Sequence, residues 1–161
     1  MNKTILKGLD VSAALWAGLI AGTVFLATML LLSSNVLGNS DLVYRMMAAI
    51  LQGEGAMSPA TPVDAGLIGS ALLVHYALSI GFGFVVAIII HRWGLIVGLL
   101  GGAALGLALY TINFFSVSYF FPWFFPLRNW IWLLGHVLFG AVAGASYELL
   151  EIDEEEIEAM Q

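Results

Sequence analysis

The sequence predicts an all-α protein, a four-helix transmembrane bundle with a short amphipathic interfacial helix in its first outer loop. Three observations carry this expectation. Four apolar stretches, at about 11–37, 66–90, 94–117 and 129–150, take up most of the 161 residues. Each runs to about 20 residues or more, enough for a helix to cross a hydrocarbon core of about 30 Å. None carries Asp, Glu, Lys or Arg in its central part, and each is apolar nearly all round, where a surface helix of a soluble domain would show a polar face. Over the whole chain 61% of residues are hydrophobic and 10% charged, against roughly half and a quarter in globular domains.

Residues 1–150 read as a single membrane domain and 151–161 as an acidic C-terminal tail. The segment Met1–Asp10 places Lys3 and Lys7 ahead of the first apolar run, as a secretory signal does. The run far exceeds the roughly 7–15 apolar residues of a signal, so it is expected to stay as the first helix, with Asp10 or Ser12 as its N-cap. The first loop, Gly38–Asp64, contains Leu42, Val43, Met46, Met47, Ile50 and Leu51 at helical spacing, with Asp41, Arg45 and Gln52 on the other side. This predicts an amphipathic helix at about 41–52, lying in the membrane interface and capped by Ser40 or Asp41. Gly53, Gly55, Pro59 and Pro62 break the chain before the second span.

Only His91-Arg92-Trp93 separates the second span from the third, which predicts an antiparallel hairpin. The next loop, Tyr119 to Trp130, is dense in Phe and Trp. Such rings favour the headgroup level, so the loop reads as an interfacial anchor, or as a docking surface for a partner or a lipid-soluble molecule such as a quinone. Lys3, Lys7 and Arg92 lie on one side, Arg45 and Arg128 on the other, a bias that favours cytoplasmic termini. Asp64 and Glu54 are expected to do no more than solvate the loop.

The formal net charge of −6 is local: seven of the eleven acids fall within Glu148–Glu158. No basic patch offers a nucleic-acid footprint. There is no Cys, so disulfides and thiolate chemistry are excluded. No paired carboxylates, nucleophile–base set or phosphate-binding loop is present, and neither catalytic residues nor a metal site are expected. The methionines Met46, Met47 and Met57 read as packing more readily than as soft ligands for Cu(I).

Gly94, Gly98, Gly102 and Gly106 are spaced four apart, with Tyr110 continuing the row. Gly18 with Gly22, and Gly140 with Gly144, are shorter versions. Such stripes let helix backbones approach in lipid, within the bundle or between subunits. The like placement of Gly-rich starts, an Arg in each loop and a single His after each loop suggests two hairpins related by an axis along the membrane normal.

Polar groups inside the spans are few. His75 on the second span and His136 on the fourth are expected at similar depth, diagonal across an up-down bundle. Ser79 lies one turn from His75, and Gly135 adjoins His136. Asn113, with Thr111, Ser116 and Ser118, makes the outer end of the third span more polar. His75, Asn113 and His136, with Tyr110 and Ser79, form the expected ligand or cofactor site. Three readings stay open: histidines satisfied by Asn113, Tyr76, Tyr110 or backbone carbonyls; paired axial ligands of a haem b; or a metal, proton or substrate site.

Residues 44–147 resemble a family of small, uncharacterised bacterial four-helix inner-membrane proteins. The resemblance lies in Arg45-Met46-Met47-Ala48, His75 with Ser79 and Gly83, Asn113-Phe114, Pro122-Trp123-Phe124, His136-Val137-Leu138-Phe139-Gly140 and Tyr147. It implies the four-helix fold and a bacterial membrane, favours His75, Asn113 and His136 as one site, and implies no activity. Three functions follow as expectations. One is a non-catalytic accessory subunit of a larger membrane complex, such as a respiratory one, with the bilayer and other subunits or further copies as partners. The others are a b-type cytochrome using His75 and His136, and a small oligomeric transporter or channel using His75, Asn113 and His136. The expected location is the bacterial inner membrane, multi-pass, with both termini cytoplasmic.

Overall fold

The computed structural model describes residues 9–151. Lys3, Lys7 and all of the acidic tail beyond Glu151 lie outside the described residues. Among the described residues the structure is all-α, with four helices long and apolar enough to cross a membrane. They are α1 (Val11–Leu37), α3 (Ala65–Ile90), α5 (Trp130–Leu150), and α4 (Leu95–Thr111) with its continuation to Tyr119. The helix expected in the first loop is α2 (Leu42–Gln52).

Short polar side chains start these helices. The Asp10 carboxylate accepts from the Ala13 N–H at 2.9 Å, and Asn129 Oδ1 accepts from the N–H groups of Ile131 and Trp132. Asp64, expected only to solvate its loop, accepts from the Leu67 N–H at 2.9 Å and caps α3. Ahead of α2 the cap is Asn39, whose Oδ1 takes the N–H groups of Asp41 and Leu42; neither Ser40 nor Asp41 caps it. Gly38 ends α1 in the left-handed region (φ 64°), which a residue with a Cβ adopts at a cost.

One expectation about α2 needs correction. The helix forms as expected and packs its apolar face on the bundle: Val43, Met46, Ala48 and Ala49 are buried, largely against α3, and Gln52 Nε2 donates to Ser70 Oγ of α3 at 2.8 Å. Arg45 is on the buried side, where its guanidinium donates to the carbonyls of Ser58 (2.7 Å) and Ala56 (3.2 Å). It holds the loop that follows α2, so a charge expected to face water instead satisfies turn carbonyls.

The helices pack in the order α3, α1, α5, α4. The turn at 91–94 joins α3 to α4 in the expected hairpin, yet the two scarcely touch along their lengths. The predicted two-fold relation fails for that reason. It would make α1–α5 and α3–α4 equivalent, and only the first is a packed interface.

The glycine stripe explains the tightest interface. A Cβ at Gly102 would overlap the Gly140 carbonyl, one at Gly106 the His136 carbonyl, and one at Gly144 the Gly98 carbonyl. The backbones of α4 and α5 are therefore in direct contact within one chain. Gly18 does the same between α1 and α3, where a Cβ would stand 2.7 Å from the Ser79 carbonyl oxygen, and Gly22 meets the Ser79 side chain. Gly94 departs from the row. It lies in the turn at φ 81° with no neighbouring atom in its way, so it serves the bend and no helix contact.

Candidate functional site

At the turn side of the bundle, polar residues from three segments meet. The carboxylate of Glu148 on α5 accepts from the N–H groups of Trp93 (3.1 Å) and Gly94 (2.8 Å) at the start of α4. Since α4 has no side-chain cap of its own, a neighbouring helix supplies one. Glu151 pairs with His91 and accepts from the Tyr147 hydroxyl at 3.2 Å, and the Arg92 N–H also points to its carboxylate. Glu148 and Glu151 thus hold the turn to the end of α5. The segment His91-Arg92-Trp93 is tied down by them, while the Trp93 side chain itself is exposed.

The opposite half carries the residues singled out in the sequence. α4 does not end as a regular helix. From Ile112 to Ser116 it widens into a π turn, closed by the Val117 N–H on the Ile112 carbonyl, and then tightens over Val117–Tyr119. Such widened turns mark functional positions more often than chance. Arg128 holds this one: its Nε donates to the Phe114 carbonyl and its Nη2 to Ser118 Oγ at 2.8 Å. Its guanidinium lies over the Phe115 and Phe125 rings at 4.3 and 4.0 Å. A cation at a helix C-terminus is also favoured by the helix dipole.

The π turn carries Asn113 to α5. Asn113 Nδ2 lies 3.2 Å from His136 Nε2, and His136 Nδ1 lies 2.8 Å from the Trp132 carbonyl. A carbonyl only accepts, so Nδ1 bears the proton, and Nε2 of the neutral ring accepts from Asn113. Tyr110 stands behind this pair, its ring edge-on to His136 at 5.8 Å and its hydroxyl directed to the Asn129 carbonyl at 3.4 Å.

His75 is placed differently. Its Nε2 donates to the Gly22 carbonyl at 2.9 Å, joining α3 to α1. The Phe25 ring stands between the two histidines, stacked on His75 (5.8 Å, 22°) and edge-on to His136 (5.3 Å, 85°). This corrects the haem reading, since the space a porphyrin would need between the imidazoles is filled by Phe25. The space beside Gly135 is likewise filled, with Met29 and Phe25 both within about 3.0 Å of where a Cβ would stand.

Where α3 and α4 part, a cavity of about 240 Å³ opens. Phe114 and Val117 line one side and Leu78 and Phe82 the other, with Asn113 and His136 as its polar groups. Met46, Met47 and Ile50 of α2 and Phe121 and Phe124 of the aromatic loop wall it off at the α2 side. An adjoining space of about 50 Å³ reaches Phe25, His75 and Ser79. Leu78, 42% exposed on a membrane-spanning helix, forms the rim.

Of the five residues predicted as a site, His136 and Asn113 are hydrogen-bonded and face the larger cavity. His75 and Ser79 line only the smaller one, and Tyr110 lines neither. Sequence reading missed Phe25, Arg128 and the π turn; the polar run Asn113–Ser118 was its nearest signal. Comparison with protein-family models, with curated proteins and with solved structures finds no match.

Proposed function

We propose that this protein binds a lipid-soluble molecule within the membrane, admitted sideways between α3 and α4. The observation that supports this reading is the cavity of about 240 Å³, apolar except for Asn113 and His136. Ligand sites share that character: an apolar lining with a few placed polar groups. At this volume the cavity falls below the roughly 300–1,000 Å³ that encloses a drug-sized molecule. It suits a ring-sized head, with the remainder of the ligand lying in lipid along the open side.

In this reading the protein is a non-catalytic accessory component of a bacterial inner membrane. The aromatic loop beside the cavity, with Tyr119, Phe120 and Phe125 exposed, sits at the headgroup level or against a larger neighbour. The test is native mass spectrometry of protein released from native-lipid nanodiscs. A bound apolar mass is expected with the wild type and is lost in Met47→Trp, which fills the cavity. An unliganded wild type, or a mass retained by Met47→Trp, would sink the reading.

A further inference from the structure

The hydrogen-bonding state of the cavity says what kind of head fits it. Because His136 Nδ1 is committed to the Trp132 carbonyl, its Nε2 can only accept, and that fixes which way the Asn113 amide faces. One N–H of Asn113 is spent on His136. The amide oxygen and the second N–H take part in no hydrogen bond among the described residues, and Asn113 lines both cavities. An apolar occupant would leave that oxygen and N–H without water and without a partner, which weakens binding. A bare carbonyl or ether could meet the N–H but not the oxygen. A hydroxyl meets both, donating to Oδ1 and accepting from Nδ2.

The walls select further. Phe114, Phe121 and Phe124 present rings, and Met46 and Met47 bring thioethers, which favour the faces and edges of an aromatic ring. Resting on the ligand-holding reading above, we propose that the cavity takes the hydroxylated aromatic head of an apolar molecule, a phenol or hydroquinone with a hydrocarbon tail. Its hydroxyl is seated on the free edge of Asn113, and its tail leaves between α3 and α4 past Leu78.

The test compares two radiolabelled probes that differ only in the donor, para-decylphenol and its methyl ether, bound to full-length protein in nanodiscs against empty nanodiscs. The phenol is expected to bind about tenfold tighter than the ether, or better, as for a site whose polar groups go unpaired when the donor is missing. Asn113→Leu should reduce that preference to within about threefold, and Met47→Trp should abolish saturable binding of both. If Asn113→Leu does not fold, Asn113→Gln, which moves the amide by one methylene, must also lower the preference. Equal binding of both probes that Met47→Trp still abolishes would overturn the hydroxyl inference and leave the ligand-holding reading standing. Saturable binding of neither probe, or binding that Met47→Trp leaves intact, would overturn the inference together with the reading beneath it.

Discussion

Arg128 donates through its Nε to the carbonyl oxygen of Phe114, fourteen residues earlier in the chain. That carbonyl belongs to the π turn and is out of register with the regular ladder of α4. The bond therefore does more than anchor a loop. Together with Ser118 Oγ, which donates to the same carbonyl at 2.7 Å, it satisfies the widened turn, and the widened turn is what brings Asn113 to His136.

Replacing Arg128 with Gln should therefore loosen residues 112–119 specifically. Hydrogen bonds to a charged group contribute about 1.5–3 kcal/mol, so a loss of roughly that size is expected. Hydrogen exchange followed by mass spectrometry should show faster exchange over 112–119 with α1 and α3 unchanged. Uniform protection in the variant would show that the turn is held by its own backbone alone.

Glycine substitutions should separate into two kinds. Gly102→Ala drives a methyl into the Gly140 carbonyl and should cost about 1–3 kcal/mol, as overpacking does. Gly81→Ala, on the exposed face of α3 with nothing near its Cβ, should change stability by less than about 1 kcal/mol, in the stabilising direction. Melting in detergent by size-exclusion chromatography gives both values. Equal effects would mean that α4 and α5 are not in backbone contact.

His75 should behave as a tie between helices. His75→Leu removes one hydrogen bond to the Gly22 carbonyl, and such bonds in membranes contribute about 0.6–2 kcal/mol. The same melting assay should show a loss in that range, with any mass bound at the larger cavity retained. Loss of the ligand without loss of stability would move His75 into the site.

Glu148→Ala should unfasten the start of α4. Losing a capping carboxylate typically costs about 1 kcal/mol, and Glu148 meets both Trp93 and Gly94. Amide exchange at residues 93–97 should rise. Glu148→Gln, which keeps an acceptor oxygen, should recover part of the protection, whereas Glu148→Leu should not.

The spans were legible because length and uniform apolarity are properties of each segment alone. Asp10 and Asn113 were legible because a polar side chain in an apolar setting must find a partner. The neighbours of each helix were not. In a soluble helix the apolar stripe points to the core, but α1 and α3 are apolar all round, so nothing marks Phe25 as the residue between His75 and His136. Arg45 misled for a related reason. Its periodicity put it opposite Met46 and Ile50, and only the fold of the loop after α2 brings the Ala56 and Ser58 carbonyls to it. The π turn was illegible because the sequence of 112–116 is compatible with a regular helix, and Arg128, which bonds to the widened form, comes from the next loop.

The turn that ties α3 to α4 has a geometric consequence. Glu148 and Glu151 clamp residues 92–94 at one end, while the cavity lies at the other, under α2 and the aromatic loop. The opening is thus a wedge with its apex fastened near one membrane surface. On the ligand-holding reading proposed above, a molecule dissolved in the leaflet at the wide end would reach Asn113 directly, and one in the opposite leaflet would first have to flip. That reading confines access to one leaflet, an asymmetry that a four-residue turn and two carboxylates would impose.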